Sequence, residues 1–241
     1  MNYELTDKEL GKILITPNAR TKRIIARRKN GYIQLTVPYG ITSAYILSTI
    51  KELKPRLLNL GKTETSKHIA VAESDIILTH SFSAHIERHT ITDKIGLSLK
   101  NGKLHISFPQ NSDISTSENQ NTIRQAVIWG LRTEAKRILP EKTAHFAKKF
   151  NLSYNNIKIN SSKTRWGSCS MQKNINYSLY LLLLPEKFID YVVLHELAHT
   201  AEMNHSEKFW KLLDTFTNNQ SKQLSKELKK YKSEWYDFLI C

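Results

Sequence analysis

Two histidines four residues apart, His195 and His199, flank Glu196 in the pattern HExxH. On a helix, residues four apart lie one turn above each other, so both imidazoles can reach one metal ion. Glu196, one position after the first histidine, is angled toward a water on that ion instead of the ion itself. The chemistry this implies is hydrolysis at a carbonyl. Zinc lowers the pKa of the water, Glu196 takes its proton, and the resulting hydroxide attacks a carbonyl that zinc also polarises.

A catalytic site of this kind takes three protein ligands, and His205 supplies the third. It follows His199 with five residues between, the interval of the extended motif HExxHxxGxxH. A continuing helix would carry residue 205 about 9 Å further along its axis, so the chain must turn before it. Glu202 stands where the motif has glycine. Asn204 tolerates the left-handed conformation and offers another turn device, and Ser206 can cap a following helix. Glu202 and Glu207 are the fallback carboxylate ligands. A fourth protein ligand would close the site and make it structural, and none has convincing spacing. The rival reading is a hydrogen-bonded pair of core histidines with Glu196 in an ion pair.

His85 and His89 are also four apart but sit in strand-like alternation, where they would be about 13 Å apart and could not share an ion. They read as surface residues, and His145, on a basic helix, has no companion. In Thr164–Ser170 (TRWGSCS), Trp166-Gly167 suggests a tight turn with an aromatic anchor. Arg165 could bind a substrate carboxylate or stabilise an oxyanion, or could form a structural ion pair. Cys169, with no second cysteine nearby, reads as a small buried residue. Tyr177, Tyr180 and Tyr191 are close enough in sequence to donate to an oxyanion, with Tyr177 the named candidate.

The HExxH helix, starting near Pro185, is apolar on nearly every side (Phe188, Ile189, Val192, Val193, Leu194, Leu197), which predicts burial. Buried histidines and a carboxylate need partners, and a metal is such a partner. Before it, Ile157–Asn160 and Ile175–Leu184 read as strands; after it, Ser206–Thr217 and Ser221–Leu239 read as helices. Thr122–Leu139 reads as a helix, with Pro140 beginning or bending a second segment that reaches Phe150. The first half is β-rich: Arg23–Arg28 with Tyr32–Val37 about Asn30-Gly31, and Ile95–Lys100 with Lys103–Phe108 about Asn101-Gly102. Ser43–Leu58 is a helix between these hairpins, and Pro55 should bend or end it. The polar stretch Gln110–Gln120 predicts a boundary. The fold class expected is α+β: a β-rich N-terminal region over residues 1–118, then a compact helical domain with a small sheet over 119–241. No repeat of solenoid length is visible.

At 241 residues and 40% hydrophobic content the chain can bury a real core. No segment is long and apolar enough for a membrane helix. The opening MNYELTDKEL lacks the pattern of a signal peptide, and Cys169 and Cys241 make no disulfide framework, so a cytoplasmic location is expected. The net charge of +14 favours anionic partners, including nucleic acid, or serves solubility.

The segment from Arg165 to Trp210, with RWGSC, IDYVVLHELAH and NHSEKFW, resembles the YgjP-like metallopeptidases, relatives of the WLM and SprT-like zinc peptidases. The resemblance implies a zincin-type domain with one zinc on His195, His199 and His205, Glu196 as general base, and a peptide or protein substrate. It also implies a substrate bound as an added strand, which would place Ile175–Leu184 along the cleft. Ser178 stands where such proteins often have asparagine. Two alternatives remain: a nucleic-acid-associated protease of SprT or WLM type, motivated by Arg20, Lys22, Arg23, Arg27, Arg28 and Lys29, and a non-catalytic module that zinc stabilises.

Overall fold

The computed structural model describes residues 3–29, 32–59 and 70–240, and the chain divides into two compact units, Met1–His68 and Ile69–Cys241. The α+β class is as expected. None of the described helices is long and apolar enough to cross a membrane.

In the first unit, β1 (Tyr3–Asp7), β2 (Gly11–Pro17), β3 (Ile25–Lys29) and β4 (Tyr32–Val37) form a sheet in the order β1-β2-β4-β3. Alternation puts Ile13, Ile15, Ile33, Leu35 and Val37 on one face, where they bury against Ile46, Ile50 and Leu57 of α1 (Ser43–Asn59). Pro55 lies inside α1, which continues to Asn59. Asn30-Gly31 lies outside the described residues, although β3 and β4 on either side pair antiparallel.

The second unit opens with β5 (Ile76–Leu78), β6 (Ser83–His89), β7 (Gly96–Lys100) and β8 (Lys103–Pro109), ordered β5-β6-β8-β7. The β7–β8 hairpin turns on Asn101 (φ 51°) and Gly102 (φ 71°), two positive φ values as a two-residue hairpin turn requires. This sheet repeats the first: β2 runs parallel to β4 with Ile13 opposite Ile33 and Ile15 opposite Leu35, and β6 runs parallel to β8 with Ala84 opposite Leu104 and Ile86 opposite Ile106. Each sheet leads into a helix. His85 and His89 lie on β6 as strand residues, His85 bonded to the Ser83 hydroxyl and His89 to the Lys94 carbonyl.

The expected boundary at 118/119 is corrected to 68/69. Residues 110–120 are polar but only join two parts of one core. Leu104, Ile106 and Phe108 of the sheet, with Phe82 just before β6, bury in the same cluster as Val127, Leu131 and Leu139 of α2 (Ser117–Lys149). Gly130 allows this approach, since a Cβ there would come within 2.8 Å of Phe82. Gln120 ties the loop down, its amide bonding the Val71 backbone on both sides and the Ile114 carbonyl. Helix α2 also passes through Pro140 without a break, capped at its start by Thr116.

After α2 come β9 (Asn156–Asn160), β10 (Gly167–Cys169) and β11 (Asn174–Ser178), ordered β10-β11-β9. The strand expected over Ile175–Leu184 stops at Ser178. The Ser178 hydroxyl accepts from the Tyr180 amide and donates to the Ser162 carbonyl at 2.7 Å, and Leu179–Leu183 then wind into a buried 3₁₀ turn. Helix α3 (Glu186–Ala198) follows, then α4 (Glu207–Phe216) and α5 (Ser221–Lys230). The single helix expected over Ser221–Leu239 is interrupted, and α6 (Tyr236–Ile240) is separate.

Candidate metal centre and active site

Helix α3 is held by burial, with Ile189, Val193 and Leu197 fully enclosed, and Lys142 of α2 bridges Glu186 (2.8 Å) and Asp190 (2.7 Å) near its start. That anchoring fixes the last turn, where His195, Glu196 and His199 project. The helix ends at His199, and Ala201 and Glu202 fold back through their amides onto the Ala198 carbonyl. Asn204 is not left-handed. The chain turns through local hydrogen bonds instead, the last from the Ser206 amide to the Asn204 carbonyl at 2.7 Å. Ser206 takes the N-cap position of α4 without a side-chain cap bond.

This turn brings His205 back over α3. One ring nitrogen from each of His195, His199 and His205 lies within 4.8 Å of the others, and the Nε2 atoms of His195 and His205 are 3.1 Å apart. Phe209, fully buried, packs under all three rings, with centroids 5.0, 4.5 and 4.7 Å from His195, His199 and His205. The Nδ1 of His199 donates to the Glu202 carbonyl at 3.1 Å, which leaves Nε2 with its lone pair. Glu202 thus serves the site through its backbone, and neither it nor Glu207 joins the donor cluster.

Burial lowers the pKa of His195 to about 3 and also lowers that of His199, with the neighbouring imidazoles adding to both. Both rings are therefore neutral near pH 7, the state in which imidazole ligates a metal. Glu196 is 5% exposed, and burial raises its pKa to about 8 against the opposing charge of Arg165. Its Oε2 and the Nδ1 of His195 are buried and without hydrogen-bond partners among the described residues. Three imidazole nitrogen donors beside an orphaned buried carboxylate oxygen fit a metal with an associated water, and the donor set suits zinc.

Edge strand β10 closes one side. A Cβ on Gly167 would lie 2.6 Å from Glu196 Oε1 and 2.7 Å from its Cγ, so only glycine leaves the carboxylate its place. We expect Gly167→Ala to lower kcat by about 100-fold, since a misplacement of about 1 Å carries that cost, while metal content stays unchanged. Steady-state kinetics beside metal analysis measure both, and an unaltered kcat would show that Glu196 can move freely.

A cavity of about 270 Å3 opens in front of this group, lined by Arg165, Trp166, Gly167, Tyr191, His195 and Glu196 among others. Arg165 thus lines the same cavity as Glu196. Tyr177 does not: it is fully buried, its hydroxyl 3.1 Å from that of Thr143 on α2, and burial pushes its pKa up. Tyr191 is the tyrosine that lines the cavity, its ring 5.9 Å from His195. Tyr180 is buried against Tyr236. Burial and the charge of Glu196 raise the Cys169 thiol to about 11, which makes it a poor nucleophile. The strand along the cleft is β10, because β11 is paired on both edges. Phe209 and Gly167 were not singled out for these roles from sequence, although Phe209 follows His205 at the helical interval of four.

Family models match residues 22–231 to the YgjP-like, metallopeptidase domain. Among solved structures, the metallopeptidase zymogen abylysin of Pyrococcus abyssi is similar at 19% identity, over 39% of this chain and 93% of that chain, with a TM-score of 0.36. The zymogen jannalysin of Methanocaldococcus jannaschii is similar at 22% identity, over 38% of this chain and 94% of that chain, with a TM-score of 0.34. No curated protein matches.

Proposed function

This chain belongs to the YgjP-like metallopeptidase family, and we propose that it hydrolyses peptide bonds at one zinc ion held by His195, His199 and His205. The observation that carries this reading is the convergence of three imidazole nitrogens beside a buried carboxylate whose Oε2 has no protein partner. Zinc at that position supplies a Lewis acid for the scissile carbonyl and a water of lowered pKa.

Glu196 performs the proton transfers. Its Oε1 lies against Gly167, which leaves Oε2 to receive a proton from the water and return it to the leaving amine. Burial raises the basicity of this carboxylate, as a base working near neutral pH requires. Arg165 lines the cavity, which supports a role as donor to a substrate oxygen. The free edge of β10 offers main-chain groups to an extended peptide, which selects for backbone shape over side-chain identity.

The test is incubation of the zinc-loaded full chain with a mixture of peptides, followed by mass spectrometry. New peptide termini with the wild type, absent with Glu196→Gln, support the proposal. No cleavage by protein carrying one zinc per chain contradicts it.

A further inference from the structure

Arg165 and Trp166 also wall a neighbouring cavity. A second cavity, of about 380 Å3, shares Arg165, Trp166, Leu228 and Lys229 with the one at Glu196. Four of its wall residues are cationic, Lys163, Arg165, Lys229 and Lys232, against the single carboxylate of Asp237. Lys163 is committed, its Nζ donating to the Ile240 carbonyl. Arg165, Lys229 and Lys232 form no ion pair among the described residues.

These charges stand on packed structure. The Tyr236 ring lies 5.5 Å from that of Trp166, and its hydroxyl donates to the Lys163 carbonyl at 2.8 Å. This ties the first residue of α6 to the segment leading into β10. Trp166 is thus both a wall of the second cavity and the residue next to Gly167, which supports Glu196. Uncompensated cations around a concavity focus the field and draw in anions. A guanidinium fork with ammonium groups beside it suits a carboxylate, and the aromatic wall suits the apolar chain that carries one.

We propose that this second cavity binds a carboxylate of the peptide being cleaved, so that the enzyme prefers acidic peptides. This rests on the peptidase reading of the adjoining site. A Glu or Asp side chain and a C-terminal carboxylate present the same chemistry, and the experiment separates them.

The zinc-loaded full chain is assayed on matched peptides that carry Glu or Gln at one position, each with a free or amidated C-terminus. An acidic preference in kcat/KM of about tenfold is expected, the worth of one charge-assisted contact. The preference should fall toward one in Lys229→Gln/Lys232→Gln and shrink in about 0.5 M salt, where exposed charges are screened. If Glu is preferred over Gln even in the amidated peptides, the side chain is the ligand; if free peptides are preferred over amidated ones whatever the side chain, the C-terminal carboxylate is. Equal kcat/KM across the set, with cleavage intact, overturns the inference and leaves the peptidase reading standing. Fluorescence anisotropy with labelled peptides and Glu196→Gln supplies the converse arm. Tighter binding of the acidic peptide, without cleavage by the wild type, supports the cavity and removes the peptidase reading.

Discussion

Glu196→Gln should lower kcat by about 10² to 10⁴-fold, the range for loss of a general acid–base group, and should leave metal content as it is. The substitution keeps the shape of the side chain, so Gly167 can still accommodate it. It replaces a group that burial discourages from ionising with one that never ionises. The metal-free variant should therefore unfold at no lower temperature than the metal-free wild type. Steady-state kinetics, metal analysis and a thermal scan separate this from misfolding. A variant that keeps full activity would remove Glu196 from the mechanism.

Zinc should stabilise the unit Ile69–Cys241 by about 4 kcal/mol when its free concentration is about 1,000 times the dissociation constant. For a unit of this size that is roughly 8–16 °C in Tm. The sign follows from the site: His195 and His199 are held neutral by burial, and their rings converge only when α3 and the turn to His205 are in place. The unfolded chain has no such arrangement, so binding favours the folded state. Calorimetry with and without a chelator should show one transition moving and the transition of Met1–His68 staying put. Two unmoved transitions would mean that the three histidines hold no ion.

The core of the site was legible because it lies on one element. Helical spacing alone brings His195 and His199 together, and the return of the chain at His205 was implied by its interval. The means of return was not legible: it depends on backbone hydrogen bonds at Ala198, Glu202 and Asn204, which any side chains can make. Gly167 and Phe209 come from β10 and α4, elements that meet α3 only in three dimensions, and the one local trace is the interval of four between His205 and Phe209.

Tyr177 misled because the face of a strand, not its distance along the chain, decides what a side chain meets. On β11 it turns toward Thr143 of α2 and away from the cleft. The run Ile175–Leu184 was apolar throughout because it is buried throughout, and such runs do not distinguish strand from helical turn. The polar stretch 110–120 hid a continuous core for a related reason. Loop composition reports exposure along the chain, whereas Phe82, Leu104 and Gly130 meet across it. The shared topology of the two sheets was overlooked too. Its trace, Lys29-Asn30-Gly31 ahead of Ile33, Leu35 and Val37 and Lys100-Asn101-Gly102 ahead of Leu104, Ile106 and Phe108, is short and mostly hydrophobic pattern.

The most direct test of the three-histidine site is the metal content of the purified full chain beside His205→Ala, by elemental mass spectrometry after dialysis. One zinc per chain in the wild type and a marked loss in the variant, with the circular-dichroism spectrum unchanged, is the predicted result. A wild type free of stoichiometric metal, or a variant that holds its zinc as tightly, would contradict it.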